Sequence, residues 1–272
     1  MGEIAEINGT RIWWELNGSG PTVVQVGGAV SAHEGYETVT PVISEHLEVL
    51  DYDHRGYGAS ARPVQRYDAR TWCDDLVALL DHVGRDRVHV HGGSMGSFIA
   101  IEFALRHPER VERLVLGAGA VARCDGMGVS HFRVWQHLAR AYGVDSRELA
   151  EELVNKAFSR RYIDEHGLDD LTTAMRESAA RNAAPHVFLD ACQLMIDADV
   201  VDALVELRCP TLVMVGSEDV LTPLHSGPAG VGAADVAARI PNAELIVFEG
   251  SGHGHYAEQP DESNRAILEF LT

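Results

Sequence analysis

Arg87-Val88-His89-Val90-His91-Gly92-Gly93-Ser94-Met95-Gly96-Ser97-Phe98-Ile99-Ala100-Ile101-Glu102-Phe103-Ala104-Leu105 is the stretch that decides the fold. An apolar strand pattern over Val88–His91 runs into two glycines, and a helical pattern follows over Ser94–Arg106. The centre, Gly92-Gly93-Ser94-Met95-Gly96, is a G-x-S-x-G motif in the strand–turn–helix context that the motif requires. A strand turning directly into a helix forces its central residue into a strained backbone conformation. Glycines two residues to either side let the chains approach closely. The Ser94 hydroxyl then stands at the carboxyl end of the sheet, where open α/β sheets bind ligands. The helix N-terminus offers backbone N–H groups to a developing oxyanion. The plainer alternative is a glycine-rich turn in which Ser94 only caps the helix.

Working outward, strand and helix patterns alternate. Ile4–Ile7 and Arg11–Leu16 read as strands joined at Asn8-Gly9, a hairpin signal. Thr22–Val26 is a strand ending in Gly27-Gly28, Tyr36–His46 a helix, Leu47–Tyr52 a strand, Trp72–Val83 a helix and Val111–Leu116 a strand. This rhythm predicts a parallel sheet flanked by helices. From about Ala122 to Glu206 only helical patterns occur, with Asp145-Ser146-Arg147-Glu148 read as a capping box with Asp145 at the cap. Strands resume at Thr211–Val215 and Leu245–Phe248, and Glu262–Leu271 closes the chain as a helix. The expected organisation is a core over residues 1–121 and 207–272, interrupted by a helical cap over residues 122–206.

A serine hydroxyl needs a base. Histidine suits the task because its ordinary pKa is ~6.5. Of fourteen histidines, His253 lies in Gly250-Ser251-Gly252-His253-Gly254-His255, just past the last strand, in a loop that glycines leave sterically open. His255 competes for the same role. The third member should be a carboxylate that orients the imidazole. Asp219, in the loop after Thr211–Val215, is the candidate. Asp125, after Val111–Leu116, is an alternative acid. The order Ser94, Asp219, His253 matches the Ser…Asp…His order of α/β hydrolases.

At these residues the chain resembles the α/β-hydrolase superfamily over nearly its whole length. Asp53-His54-Arg55-Gly56-Tyr57-Gly58-Ala59-Ser60 resembles the family's D-x-R-G-x-G-x-S stretch, and His107-Pro108-Glu109-Arg110-Val111 its H-P-E-R-V link. Gly252-His253 with Glu258-Gln259-Pro260 resembles its G-H-x-x-x-x-E-x-P segment, which gives His253 the catalytic place. The resemblance implies an α/β-hydrolase fold with a mostly parallel eight-stranded sheet and a helical cap over the active site. It also implies an oxyanion hole from the N–H groups of Ala29 and Met95, with Gly28 as the alternative to Ala29. The family commonly has His-Gly at that loop, where Gly27-Gly28 stands here. The donor is a backbone N–H, so the hole survives that change. Gly-Gly-Ser-Met-Gly-Ser is also locally similar to proline iminopeptidases and homoserine acyltransferases, but six residues do not set a substrate class. An aspartate nucleophile is excluded, because the motif carries Ser94.

Composition narrows the partners. The formal net charge is -19, with Lys156 the single lysine, so nucleic acid and anionic membranes are poor partners. No apolar run reaches ~18 residues, and the first residues lack the features of a secretory signal. Cys73, Cys124, Cys192 and Cys209 form no C-x-x-C pair and fit no zinc spacing. Buried free thiols and a cytoplasmic location follow. Neither His89 and His91 on their strand nor His33 and Glu34 make a metal spacing, so no metal and no cofactor is expected. Arg55 reads as a structural arginine. Phe132 and Trp135, one helical turn apart in the insertion, are candidates to line the substrate pocket or the insertion's own core. The expected activity is hydrolysis of a small carboxylic ester or lactone through an acyl-enzyme on Ser94. The same triad also serves C–C or amide cleavage, acyl transfer, or a hydrolase-like receptor of a small molecule.

Overall fold

The computed structural model describes residues 2–182 and 184–272. Its strands are β1 (Glu3–Ile7), β2 (Thr10–Gly18), β3 (Thr22–Val26), β4 (Glu48–Tyr52), β5 (Val88–Gly93), β6 (Val111–Gly117), β7 (Thr211–Gly216) and β8 (Ala243–Phe248). They form one eight-stranded sheet in the order β1-β2-β4-β3-β5-β6-β7-β8. β2 pairs antiparallel with β1 and β4; every other pairing is parallel. The β1–β2 hairpin turns at Asn8 and Gly9, both at positive φ (46° and 72°). That is what a two-residue turn compatible with strand twist demands, and it suits Asn-Gly.

The helices are α1 (Thr40–Ile43), α2 (Ala69–His82), α3 (Met95–Arg106), α4 (Gly126–Tyr142), α5 (Arg147–Ala157), α6 (Arg160–His166), α7 (Leu168–Asn182), α8 (Pro185–Asp197), α9 (Ala233–Arg239), α10 (His255–Glu258) and α11 (Pro260–Leu271). The central strands are buried on both faces, which is why β3 reads Thr-Val-Val-Gln-Val without alternation. Adjacent residues of one strand serve opposite layers. Val24, Leu50, Val90 and Leu116 belong to the core that includes Trp72, Leu76 and Ile99 of α2 and α3. Val23, Val49, Val115 and Leu212 belong to the core with Ile43 of α1 and Ile267 of α11.

Between β6 and β7 the described residues build the helices α4 to α8 and a 3₁₀ turn over Val201–Glu206, with one isolated β-bridge from Arg123 to Val231. α4 packs on α8 and α5 on α7. Three expectations need correction. The helix expected over Tyr36–His46 is broken into a 3₁₀ turn at His33–Tyr36 and the single turn of α1, because Pro41 has no N–H with which to continue a helix from Glu37. The α5 cap is Ser146, whose hydroxyl accepts from the Leu149 N–H, and not Asp145. The pattern also missed α9 and α10, both short. Among the described residues no helix is long and apolar enough to cross a membrane.

The chain order reverses around β3. β3 leads to β4 on one side, and the chain then crosses back to β5 on the other. The crevice beyond the carboxyl ends of β3 and β5 is therefore the topological switch point where open sheets hold ligands. Gly27–Ala32 and Ser94 lie there.

Candidate active site

Ser94 follows β5 with φ 56° and ψ −121°, and its side chain makes no capping bond to α3. The simple N-cap reading therefore fails. A non-glycine residue at such a φ carries strain on the order of 1–3 kcal/mol and persists only where its surroundings over-determine it. Here they do. The Ser94 N–H donates to Gly117 O at 3.0 Å, and Ser94 O accepts from the N–H and hydroxyl of Ser97 at 2.8 and 2.6 Å. The flanking glycines admit no side chain: a Cβ at Gly96 would stand 2.0 Å from Val26 O, and one at Gly92 2.2 Å from Gly96 O.

Ser94 opens on a cavity of about 200 Å³ that is also lined by Gly28, Ala29, Tyr36, His253 and Tyr256. His253 Nδ1 lies 2.8 Å from Asp219 Oδ2. Asp219 is fully enclosed and fully partnered. Its Oδ1 accepts from the N–H groups of Leu221 and Thr222 at 2.8 and 2.9 Å, and its Oδ2 faces both His253 Nδ1 and the Thr222 hydroxyl. Burial alone would raise this carboxyl. The His253 imidazole and the Thr222 donors outweigh burial and hold it below the usual range. Acceptance at Oδ2 sets Nδ1–H as the proton-bearing side of His253, which leaves Nε2 as the acceptor.

The other histidine and the other carboxylate are engaged elsewhere. His255 is buried, its Nε2 accepts from the Ala118 N–H at 3.0 Å, and its Nδ1 faces Ser263 Oγ at 2.9 Å. Burial pushes its pKa down to about 3. It is a neutral strut. Asp125 caps α4 through the Gly128 N–H at 2.9 Å and accepts from Gly227 N–H and Ser226 Oγ at 2.8 and 3.1 Å. It ties the start of the insertion to the loop after β7, and Asp219 is the carboxylate that meets His253.

Two backbone N–H groups were expected to face the oxyanion. The Gly28 N–H donates to Ser31 Oγ at 3.3 Å, whereas among the described residues nothing accepts from the Ala29 N–H. The loop is pinned from three sides: His54 Nε2 reaches Gly27 O at 3.2 Å, Tyr36 OH donates to Val26 O at 2.8 Å and Tyr57 OH to Ala29 O at 3.1 Å. Met95 is the first residue of α3, so its N–H has no carbonyl within the helix to bond.

Phe132 and Trp135 resolve toward core. They are 4% and 3% exposed, Trp135 stacks near Phe188, and neither is among the residues lining the Ser94 cavity. His91 is likewise satisfied: Gln25 spends its amide N–H on Asp51 and Thr40, so its Oε1 accepts from His91 Nδ1, while His91 Nε2 accepts from Tyr256 OH at 2.6 Å. Arg55 is structural, bonded to Asp75 and to Asn8 O. Thr222 and Ala118 were not singled out from the sequence. The Asp-x-x-Thr spacing was the available signal for Thr222, since Asp turns bond to the backbone two or three residues on.

Comparison with known proteins agrees with this architecture. A family model described as alpha/beta hydrolase fold matches residues 21–260. A protein of Caulobacter sp. (strain K31) named putative carbamate hydrolase RutD is 30% identical over 243 residues, 85% of this chain and 82% of its own. A 2-hydroxy-6-oxononadienedioate/2-hydroxy-6-oxononatrienedioate hydrolase of Dechloromonas aromatica is 28% identical over 264 residues, 94% and 85% of the two chains. The solved structure of a serine-to-alanine mutant of the meta-cleavage product hydrolase CumD from Pseudomonas fluorescens IP01, complexed with acetates, superposes with a TM-score of 0.84 at 26% identity, covering 99% of this chain and 97% of that one. The chain belongs to the α/β-hydrolase fold family of hydrolytic enzymes.

Proposed function

We propose that the chain is a serine hydrolase acting on a small carboxylic ester or lactone, with Ser94, His253 and Asp219 as its triad. The observation that carries this reading is the 2.8 Å bond between buried Asp219 and His253, the histidine lining the cavity that also holds a strained, uncapped Ser94. His253 Nε2 takes the Ser94 proton as Oγ attacks the substrate carbonyl, and Asp219 stabilises the imidazolium. The N–H groups of Ala29 and Met95 hold the oxyanion, each donor being worth roughly 3 kcal/mol of transition-state stabilisation. The leaving group takes the proton from His253, and water releases the acyl group by the same steps. No step calls for a metal or a cofactor. Residues 122–206 act as the cap over this site. Four unpaired thiols favour a reducing, cytoplasmic compartment.

Among the described residues no Lys, Arg, Asp or Glu lines the Ser94 cavity, which favours a small uncharged acyl group. The alternatives are cleavage of a carbamate, which the name of one relative favours, and cleavage of a C–C or amide bond, which the same triad serves. A substrate panel of p-nitrophenyl esters, lactones, carbamates and vinylogous 1,5-diketones decides between them. Replacing Ser94 by Ala should abolish both turnover and fluorophosphonate labelling. Undiminished ester turnover in that variant would sink the triad. Labelling without turnover on any member of the panel would favour a receptor.

A further inference from the structure

The insertion is fastened to the His253 loop on both sides of the histidine. Glu258, at the end of α10, turns its carboxylate back toward that loop. Its Oε1 accepts from the Gly252 N–H at 2.9 Å and from the Ser159 N–H at 3.1 Å, and its Oε2 accepts from the Ser159 hydroxyl. Ser159 is 2% exposed and also caps α6 through the Tyr162 N–H. Past the histidine, the Gly254 N–H donates to Ala157 O at 2.6 Å. The two peptide N–H groups that flank His253 thus end on the α5–α6 junction, one through Glu258 and one directly.

The packing is equally close. A Cβ at Gly252 would lie 2.8 Å from Phe158 C and Ser159 N, and one at Gly254 would lie 2.6 Å from the Phe158 ring. A carboxylate suits the junction because it offers lone pairs to all three donors at once, in charge-assisted bonds. Glu258 meets neither Asp219 nor the imidazole in any of these contacts.

We infer that Glu258 is a positioning residue that locks the α5–α6 junction to the His253 loop, so that the helical insertion sets where the base stands. The inference rests on the Ser94–His253–Asp219 reading. It gives residues 157–159 a role in catalysis that roofing the pocket does not require. Misplacing a catalytic group by 1 Å can cost on the order of 100-fold in rate.

The test compares Glu258→Gln, Ser159→Ala and their double variant with the parent, all as full chains. A glutamine keeps one oxygen for the two N–H groups but turns an NH₂ toward the Ser159 hydroxyl, so that bond reverses direction and all three lose their charge assistance. With p-nitrophenyl acetate, Glu258→Gln should lower kcat about tenfold or more with KM nearly unchanged. Fluorophosphonate labelling of Ser94 should slow by the same factor. The low-field Nδ1–H proton resonance of His253 should broaden while the circular dichroism stays that of the parent. Ser159→Ala should lower kcat by a smaller factor, and the double variant should be no slower than Glu258→Gln alone. A folded Glu258→Gln chain with the parent's kcat, labelling rate and resonance overturns the inference. If that variant does not fold, parental kcat and labelling in Ser159→Ala overturn it instead. Failure of the parent itself to label removes the triad, and this inference with it. Parental labelling that neither variant alters removes this inference alone.

Discussion

Ser94 at φ 56° and Ala118 at φ 51° stand at the ends of the neighbouring strands β5 and β6, and both line the same cavity. Ser94 is held by Gly117 and Ser97, and Ala118 by groups next to the Asp219–His253 pair. Ala118 gives its N–H to His255 and its carbonyl accepts from Thr222 Oγ1 at 2.7 Å. Gly119, at φ 70°, lets Thr222 come this close, since a Cβ there would lie 2.1 Å from its hydroxyl. Thr222 therefore serves the strained turn and Asp219 together. Thr222→Val keeps the shape and deletes the hydroxyl. We expect a loss of about 1–3 kcal/mol in urea unfolding, because the single hydroxyl proton that the buried Ala118 O and Asp219 Oδ2 share is removed. Esterase activity should fall with it. Unchanged unfolding and activity would show the hydroxyl to be dispensable.

At the level of elements, the strands were legible because parallel strands buried on both faces are short unbroken apolar runs, as in β3 and β7. Helix ends were less legible, because several polar residues in a row can each supply a cap. Asp145 and Ser146 are such a pair, and only backbone direction chose between them. Ser146→Ala should cost about 1 kcal/mol in unfolding free energy, the usual loss of a cap, while Asp145→Ala should cost only a few tenths. Equal costs would contradict the Ser146 geometry. Tyr36–His46 was misread because its apolar spacing suits a helix, whereas Pro41 restarts it.

The whole molecule should be sensitive to mild acid. Burial pushes His91 and His255 down to about 3 and His54 down to about 4. The folded chain keeps these rings neutral, while the unfolded chain protonates them below ~6.5. Stability is therefore complete above that value and drains as pH falls toward the folded pKa values. Three such rings imply a loss of about 4 kcal/mol between pH 7.5 and pH 5.5. His33 pulls the other way. Burial lowers its pKa, but Asp53 at 2.7 Å outweighs burial and the net shift is upward. Its contribution is present below its unfolded pKa and lost as pH rises. Asp51 and Asp75, raised by burial, likewise favour the fold only at low pH. Urea unfolding at the two pH values should show a net loss; equal stability would mean that the three rings are hydrated or that His33, Asp51 and Asp75 offset them.

The sequence by itself determined the chemistry on offer. The motif around Ser94, the order Ser94, Asp219, His253 and the strand–helix rhythm are local patterns, set by φ/ψ limits and by which faces must be buried. The tertiary structure alone decided the partnerships. It separated His253 from His255, two residues away, by giving one a buried carboxylate and the other the Ala118 N–H. It set Asp125 to tying loops, and put Phe132 and Trp135 into packing. It also brought Glu258 to Ser159, 99 residues away in sequence. The physical reason is that hydrogen bonds and burial depend on distance in space. A residue type states what a side chain can donate, accept or bury, and only the folded chain supplies the neighbour.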